Sequence, residues 1–220
     1  MAAADRRELE RARRRQEILC AARAVFAQDG YNRATVAAVA RRADLGKGTI
    51  YLYFDTKEAI LAELTLQALG ELGEHLQAAV DRCSPLHPDL RLRAMADAYL
   101  AFALHAPDYI RLLNAFDHGG FQDGISSALK EQILIESNRT LDLVAQAVAD
   151  GIALGIFAHA DARQAARVLW AALNGALALV AHPIRRTLVS ADPADLYRAT
   201  FELCLKGLES VSIPPREANP

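Results

Sequence analysis

Within "DLGKGTIYLYFDTKEAI", residues 44–60, Lys47 stands between Gly46 and Gly48, followed by Thr49, Tyr51, Tyr53 and Lys57. Glycine lets backbone N–H groups approach an anion closely and lysine supplies charge, so this is chemistry for a phosphate. A nucleotide-binding P-loop would need G-x-x-x-x-G-K-[ST] between a strand and a helix. Arg41 stands where its first glycine belongs, and Gly48 where its Ser or Thr belongs. The upstream "TVAAVARRA" also reads as a helix. A nucleic-acid backbone is the next candidate to consider.

The elements that would position these residues are legible in the spacing. Ile18, Leu19, Ala22, Val25 and Phe26 repeat on one helix face, and Gly30 ends it. Thr35 is an N-cap for a second helix carrying Val36, Val39 and Ala40. Asp44-Leu45-Gly46 predicts a sharp turn, because Asp and Gly tolerate left-handed backbone. A short third helix over 47–53 turns Ile50 and Phe54 inward and Lys47, Thr49, Tyr51, Leu52 and Tyr53 outward. Asp55 with Glu58 suggests a capping box opening a fourth. Two helices joined by a tight turn, the second short and presenting a basic and aromatic face, form a helix-turn-helix.

On that reading Lys47, Thr49 and Tyr53 face base edges or nearby phosphates, with Leu52 on the same outer face. Gly48 matters because a side chain there would hold the helix off the groove floor. Thr35 and Lys57, each at a helix start, clamp the backbone on either side. The arm "RRELERARRR" either extends the first helix toward the minor groove or lies as a solvated charged face; Glu8 and Glu10 interrupt its positive run, which weighs against the first.

"ILCAARAVFAQDGY" and "TVAAVARRADLGKGTIYLYFDTKEAIL" together resemble the DNA-binding domain of TetR-family transcriptional regulators over roughly residues 13–65. The most specific part is K-G-T-[IL]-Y-x-[YH]-F-x-[ST]-K-E. Asp44 and Gly46 depart from the residues frequent at those places, Gly and Ser. The resemblance implies that Tyr51 bonds a phosphate through its hydroxyl. It also implies a homodimeric repressor with a four-helix dimer seam from the last two helices, released from a palindromic operator by a small effector.

Composition agrees with a globular regulator. The 220 residues are 52% hydrophobic with net charge −2, enough for a full core. Residues 1–57 hold 12 Lys and Arg against 7 Asp and Glu, a net +5; the rest hold 13 against 20, a net −7. A basic head on an acidic body points to a polyanion as the head's partner. The charged start does not read as a secretory signal, and no apolar run suits a membrane span, so a cytoplasmic protein that does not enter the membrane is expected.

Further helices are predicted over 57–82, 89–104, 107–116, 125–154, 162–181 and 194–208. The fold class is therefore all-α with about nine helices: a three-helix helix-turn-helix domain over 1–57, and an effector-binding and dimerisation domain over 58–220. Val168, Leu169, Ala172, Leu173, Gly175, Ala176 and Leu177 make one helix apolar on more than one face, as a dimer seam requires. Polar and aromatic residues scattered among apolar ones are the effector-pocket candidates: Tyr99, Phe102, His105, Tyr109, Asn114, Phe116, His118, Asn138 and Trp170.

Other chemistry finds no support. Cys20, Cys83 and Cys204 have no paired spacing and are expected to be small buried hydrophobes. The six histidines, at 75, 87, 105, 118, 159 and 182, lack the spacing of a helical metal site, so neither metal nor cofactor is expected. No G-x-S-x-G elbow or G-x-G-x-x-G turn is present, which argues against an enzyme. The alternative is a small-molecule-binding helical protein, or an enzyme, whose DNA-binding head is vestigial.

Overall fold

The structure, a computed structural model, describes residues 3–83, 87–118, 124–158, 161–181, 187 and 192–209; side chains 3–5, 114–118 and 180–181 are outside that description. Among the described residues there are nine helices: α1 (Ala3–Asp29), α2 (Val36–Arg42), α3 (Lys47–Tyr51), α4 (Lys57–Cys83), α5 (Pro88–His105), α6 (Pro107–His118), α7 (Ser127–Ala153), α8 (Ala162–Ala181) and α9 (Pro193–Glu209). The ends of α3–α9 lie within two residues of the sequence expectations. The charged arm is helical, as the first turns of α1.

Two compact units interleave along the chain: Met1–Glu71 with Ala106–Glu136, and Leu72–His105 with Ser137–Pro220. Both α4 and α7 are continuous helices that contribute residues to each unit.

In the first unit α1 buries Ile18, Leu19, Ala22, Val25 and Phe26, the stripe read from the sequence. Ala62 of α4 packs with Ile125 and Ile133, and Leu66, Leu69 and Leu129 close around them. The spacing of 62, 66 and 69 against 129 and 133 places one face of α4 on the first turns of α7. Tyr109 of α6 lies under the guanidinium of Arg23, 4.0 Å from its ring centre, and its hydroxyl donates 2.5 Å to Glu71. Helices α1, α4 and α6 meet there.

In the second unit α5 is the hub. The Tyr99 hydroxyl donates to Asn174 of α8, and the buried Tyr197 of α9 donates 3.0 Å to the Ala96 carbonyl. Arg91 pairs with Asp150 of α7 and Arg93 with Glu202 of α9. Burial raises the Asp150 carboxyl, but hydrogen bonds from Arg91 and Gln146 outweigh it and hold it below the usual range.

Two local expectations need correction. The cysteines are not buried: Cys20 is exposed, Cys83 and Cys204 partly so. Cys20 follows Leu19 by one residue, about 100° round the helix, which carries it off the packed face. The capping box at Asp55 and Glu58 is not formed either. Thr56 is the cap, its hydroxyl accepting from Ala59 N–H at 2.9 Å, and Glu58 turns away to accept from the Tyr31 hydroxyl.

Candidate nucleic-acid interface

Helix α2 starts as its sequence predicts, with Thr35 Oγ1 accepting from Ala38 N–H at 3.1 Å. The turn after it depends on Asp44, whose φ of 55° is left-handed, while Gly46 at −71° is not. Asp is among the few residues that tolerate this region, so the chain reverses here without glycine. Leu45 N–H then closes on the Ala40 carbonyl at 2.9 Å.

Helix α3 is a turn and a half, held by its inner side. Ile50 and Phe54 are buried, and the residues facing away are Lys47, Gly48, Tyr51 and Leu52. Tyr51 is 45% exposed and Leu52 73%. The Lys47 ammonium lies 5.7 Å from the Tyr51 ring centre, which puts charge and aromatic surface side by side. Thr49 and Tyr53 are partly buried at the edges of this face. A Cβ at Gly48 would meet nothing of the chain within 4 Å.

Helix α3 is anchored from behind by residues that the sequence reading missed. Arg15 of α1 donates 2.7 Å to the Tyr53 carbonyl, stacks 4.2 Å from the Phe54 ring centre and pairs with Glu63 of α4. One guanidinium thus ties three helices. Nothing local signals it, since Arg15 and Glu63 are 48 residues apart.

Lys57 is placed differently from an exposed clamp. Its ammonium donates to the carbonyls of Tyr31 and Ala34, at 3.0 and 3.1 Å, and sits 4.2 Å from the Tyr31 ring centre. The Tyr31 hydroxyl donates 3.0 Å to Glu58, and burial together with that carboxylate pushes the phenol well above its ordinary pKa. The start of α4 is therefore bonded to the segment that leads into α2. Thr56 extends this contact: its hydroxyl donates 2.9 Å to the Gly124 carbonyl, and a Cβ at Gly124 would approach the Glu58 side chain at 3.0 Å.

The effector candidates divide. Tyr99 and Phe102 are buried in the second unit and Tyr109 in the first. His105 is exposed and joined to its own helix at the Ala101 carbonyl; Asn138 is exposed and accepts from Arg163; Trp170 is 55% exposed. The side chains of Asn114, Phe116 and His118 lie outside the described residues. An open depression of about 530 Å³ lies elsewhere, between α1 and the end of α2, walled by Arg13, Glu17, Cys20 and Arg42.

The seam candidates divide too. Leu169, Leu173, Ala176 and Leu177 are buried within the chain, Ala172 is partly covered, and Val168 and Gly175 are exposed, Val168 by 52%. Ala171 and Leu179 continue the exposed line, and Leu203 of α9 is 73% exposed. Among the described residues no helix is long and apolar enough to cross a membrane. Nor do three His, Cys, Asp or Glu side chains among them group as metal ligands would.

This geometry has relatives. The chain is 36% identical over 77 residues to the HTH-type transcriptional regulator YhgD of Bacillus subtilis, 35% of this chain and 40% of that protein. It is 39% identical over 61 residues to the fatty acid metabolism regulator protein of the same organism, 28% of this chain and 31% of that protein. The match thus spans less than half the length of these curated relatives. Its fold is similar to the crystal structure of the transcriptional regulator FadR from Bacillus subtilis in complex with stearoyl-CoA. The TM-score is 0.70 at 21% identity, covering 87% of this chain and 98% of that one. Residues 18–64 match the model of bacterial regulatory proteins, tetR family, and residues 92–204 that of the tetracyclin repressor-like C-terminal domain. With a helix-turn-helix at one end and family-matched sequence through most of the rest, the chain belongs to the TetR family.

Proposed function

We propose that this protein is a ligand-responsive transcriptional regulator, a homodimeric repressor that binds a palindromic operator in the cytoplasm and leaves it when a small molecule binds. The observation that carries the reading is the outer face of α3. Leaving Leu52 mostly in water forgoes roughly 1.5–3 kcal/mol of burial, and a glycine inside a helix costs about 1 kcal/mol against alanine. Gly48 has open space around it, so the chain's own packing does not require it. Both sacrifices make sense if the face meets something outside the chain. A major groove fits: Lys47 and Thr49 supply polar contacts, Leu52 can meet a thymine methyl, and Tyr51 and Thr35 reach phosphates.

Residues 1–57 do the reading in this scheme and 58–220 bind effector and partner. Lys57 acts chiefly as a strut for the head. The exposed line of Val168, Ala171, Gly175 and Leu179 on α8, with Leu203 on α9, is the surface offered to a second copy. Its small residues permit close helix approach. Two copies would set two recognition helices one helical turn of DNA apart, about 34 Å. An effector then acts through its difference in affinity for the DNA-fitting and non-fitting spacings. Helix α4, continuous between the two units, is the natural carrier. Long-chain acyl-CoA is the first effector to try, because FadR from Bacillus subtilis shares the fold and was crystallised with stearoyl-CoA.

The test is selection of bound fragments from a random duplex pool by the purified full-length chain. A palindromic consensus whose affinity falls steeply with salt is the expected result. No enrichment at any salt concentration would overturn the reading, and the vestigial-head alternative would replace it.

A further inference from the structure

We propose that Thr65 of α4 is the polar contact of an effector site in the first unit, and that this site takes an apolar molecule with one uncharged hydrogen-bond acceptor, such as a ketone or ester carbonyl. The inference rests on the ligand-responsive function proposed above and names the ligand's class. Tyrosines aside, Thr65 is the only buried polar side chain among the described residues, 2% exposed, and its hydroxyl has no hydrogen-bond partner. The chain settles its other buried hydroxyls: those of Tyr31, Tyr99, Tyr109 and Tyr197 each donate to an acceptor. A threonine inside a helix can bond the carbonyl one turn back, and Thr65 does not.

Thr65 follows Ala62 by three residues and precedes Leu69 by four, so the three share one side of α4. That side packs with Ile125, Leu129 and Ile133. Ala62, Ile125 and Ile133 are buried, whereas Leu66, Leu69 and Leu129 keep part of their surface in solvent. The hydroxyl therefore stands in an apolar wall whose rim a small molecule can reach. A trapped water is a poor partner for it, because a buried water needs two or more polar neighbours and this wall offers one. The charged residues of α4 in this unit are Lys57, Glu58, Glu63 and Glu71, and each is engaged: Lys57 by the Tyr31 and Ala34 carbonyls, Glu58 by Tyr31, Glu63 by Arg15 and Glu71 by Tyr109. None is left on this helix to balance a charged ligand, so the matching group is uncharged. An apolar body with one such acceptor fills the wall and satisfies the hydroxyl together. Lys130, next to Leu129, is half-buried at the rim, and a preference for carboxylates would be the sign that it, rather than Thr65, sets the class.

The experiment titrates the full-length chain, without DNA, with 2-decanone and with decanoate by calorimetry. The wild type should bind 2-decanone more tightly than decanoate. Thr65→Val keeps the branched shape and removes the hydroxyl, so it should weaken 2-decanone binding about tenfold, the loss of one hydrogen bond. Thr65→Ser should restore most of it. In the unliganded chain Thr65→Val should leave the urea midpoint unchanged or raise it, since no bond is lost. A lower midpoint would overturn the proposal by showing that the hydroxyl is bonded within the chain. Equal 2-decanone affinity of Thr65→Val and wild type, tighter binding of decanoate, or no binding of 2-decanone would overturn it as well. Each of these outcomes leaves the DNA-binding reading standing, because that reading fails only when no duplex is selected.

Discussion

The Thr56 hydroxyl holds the Gly124 carbonyl at 2.9 Å while accepting from Ala59 N–H, so one side chain both opens α4 and fastens it to the segment leading into α7. The next residue, Lys57, fastens the same helix start to the loop ahead of α2. Within this compact unit, the loop ahead of α2 and the segment leading into α7 are both fastened to the start of α4.

Thr56→Ala removes the cap and the tether together. Loss of an N-cap costs about 1 kcal/mol and of a hydrogen bond about as much again, so unfolding stability should fall by roughly 1–2 kcal/mol. Thr56→Ser should restore most of it. Equal stability of Thr56→Ala and wild type in urea unfolding would show that the anchor carries no weight.

Gly48→Leu should separate fold from function. A Cβ at 48 meets nothing within 4 Å, and leucine is a better helix former by roughly 1 kcal/mol, so stability should hold or rise. DNA binding should be abolished by the side chain's bulk. Thermal unfolding and duplex titration of the same sample decide it; normal affinity would mean that another face of α3 meets DNA.

Lys57→Met tests whether that ammonium is a strut. Two carbonyls lose a charged donor, so stability should fall by about 1.5–3 kcal/mol. A lysine serving only as a phosphate clamp would leave urea unfolding unchanged and alter only the salt dependence of binding.

Tyr109→Phe has a pH signature. Burial, then the hydrogen bond to Glu71, pushes the Tyr109 phenol up to about 12, against an opposing effect of Arg23. A raised folded-state pKa means that its contribution is fully present below the unfolded value near 10 and is lost as pH rises toward 12. The variant should be less stable than wild type by about 1 kcal/mol at pH 8, with the gap closing between pH 10 and 12. A gap that stays constant to pH 12 would refute the linkage.

Gly175→Arg places a long charged side chain on the exposed line of α8, where a partner copy would press. Sedimentation should show a dimer for wild type and a monomer of unchanged helicity for the variant. Identical sedimentation of the two would move the seam elsewhere.

Helix positions were legible because they rest on local physics. The apolar spacing of Ile18 to Phe26, the Thr35 cap and the inward pair Ile50 and Phe54 each depend on residues within a turn or two. The outer face of α3 followed, since whatever opposes Ile50 on so short a helix must face out. The capping box misled because Asp55 and Glu58 satisfy the pattern, yet Tyr31, 27 residues away, takes the carboxylate. Arg15 and Lys57 looked like surface cations until the fold set Glu63, Tyr53 and the carbonyls of Tyr31 and Ala34 beside them. On α8 the sequence marked an apolar helix, but only packing against the rest of its unit could decide which residues are spent on the chain's own core and which remain for a partner. Sequence by itself determined the elements and the residue types on the outer face of α3, because those are set by near neighbours; tertiary structure alone decided which charges are bonded within the chain, because a donor finds its acceptor across the fold.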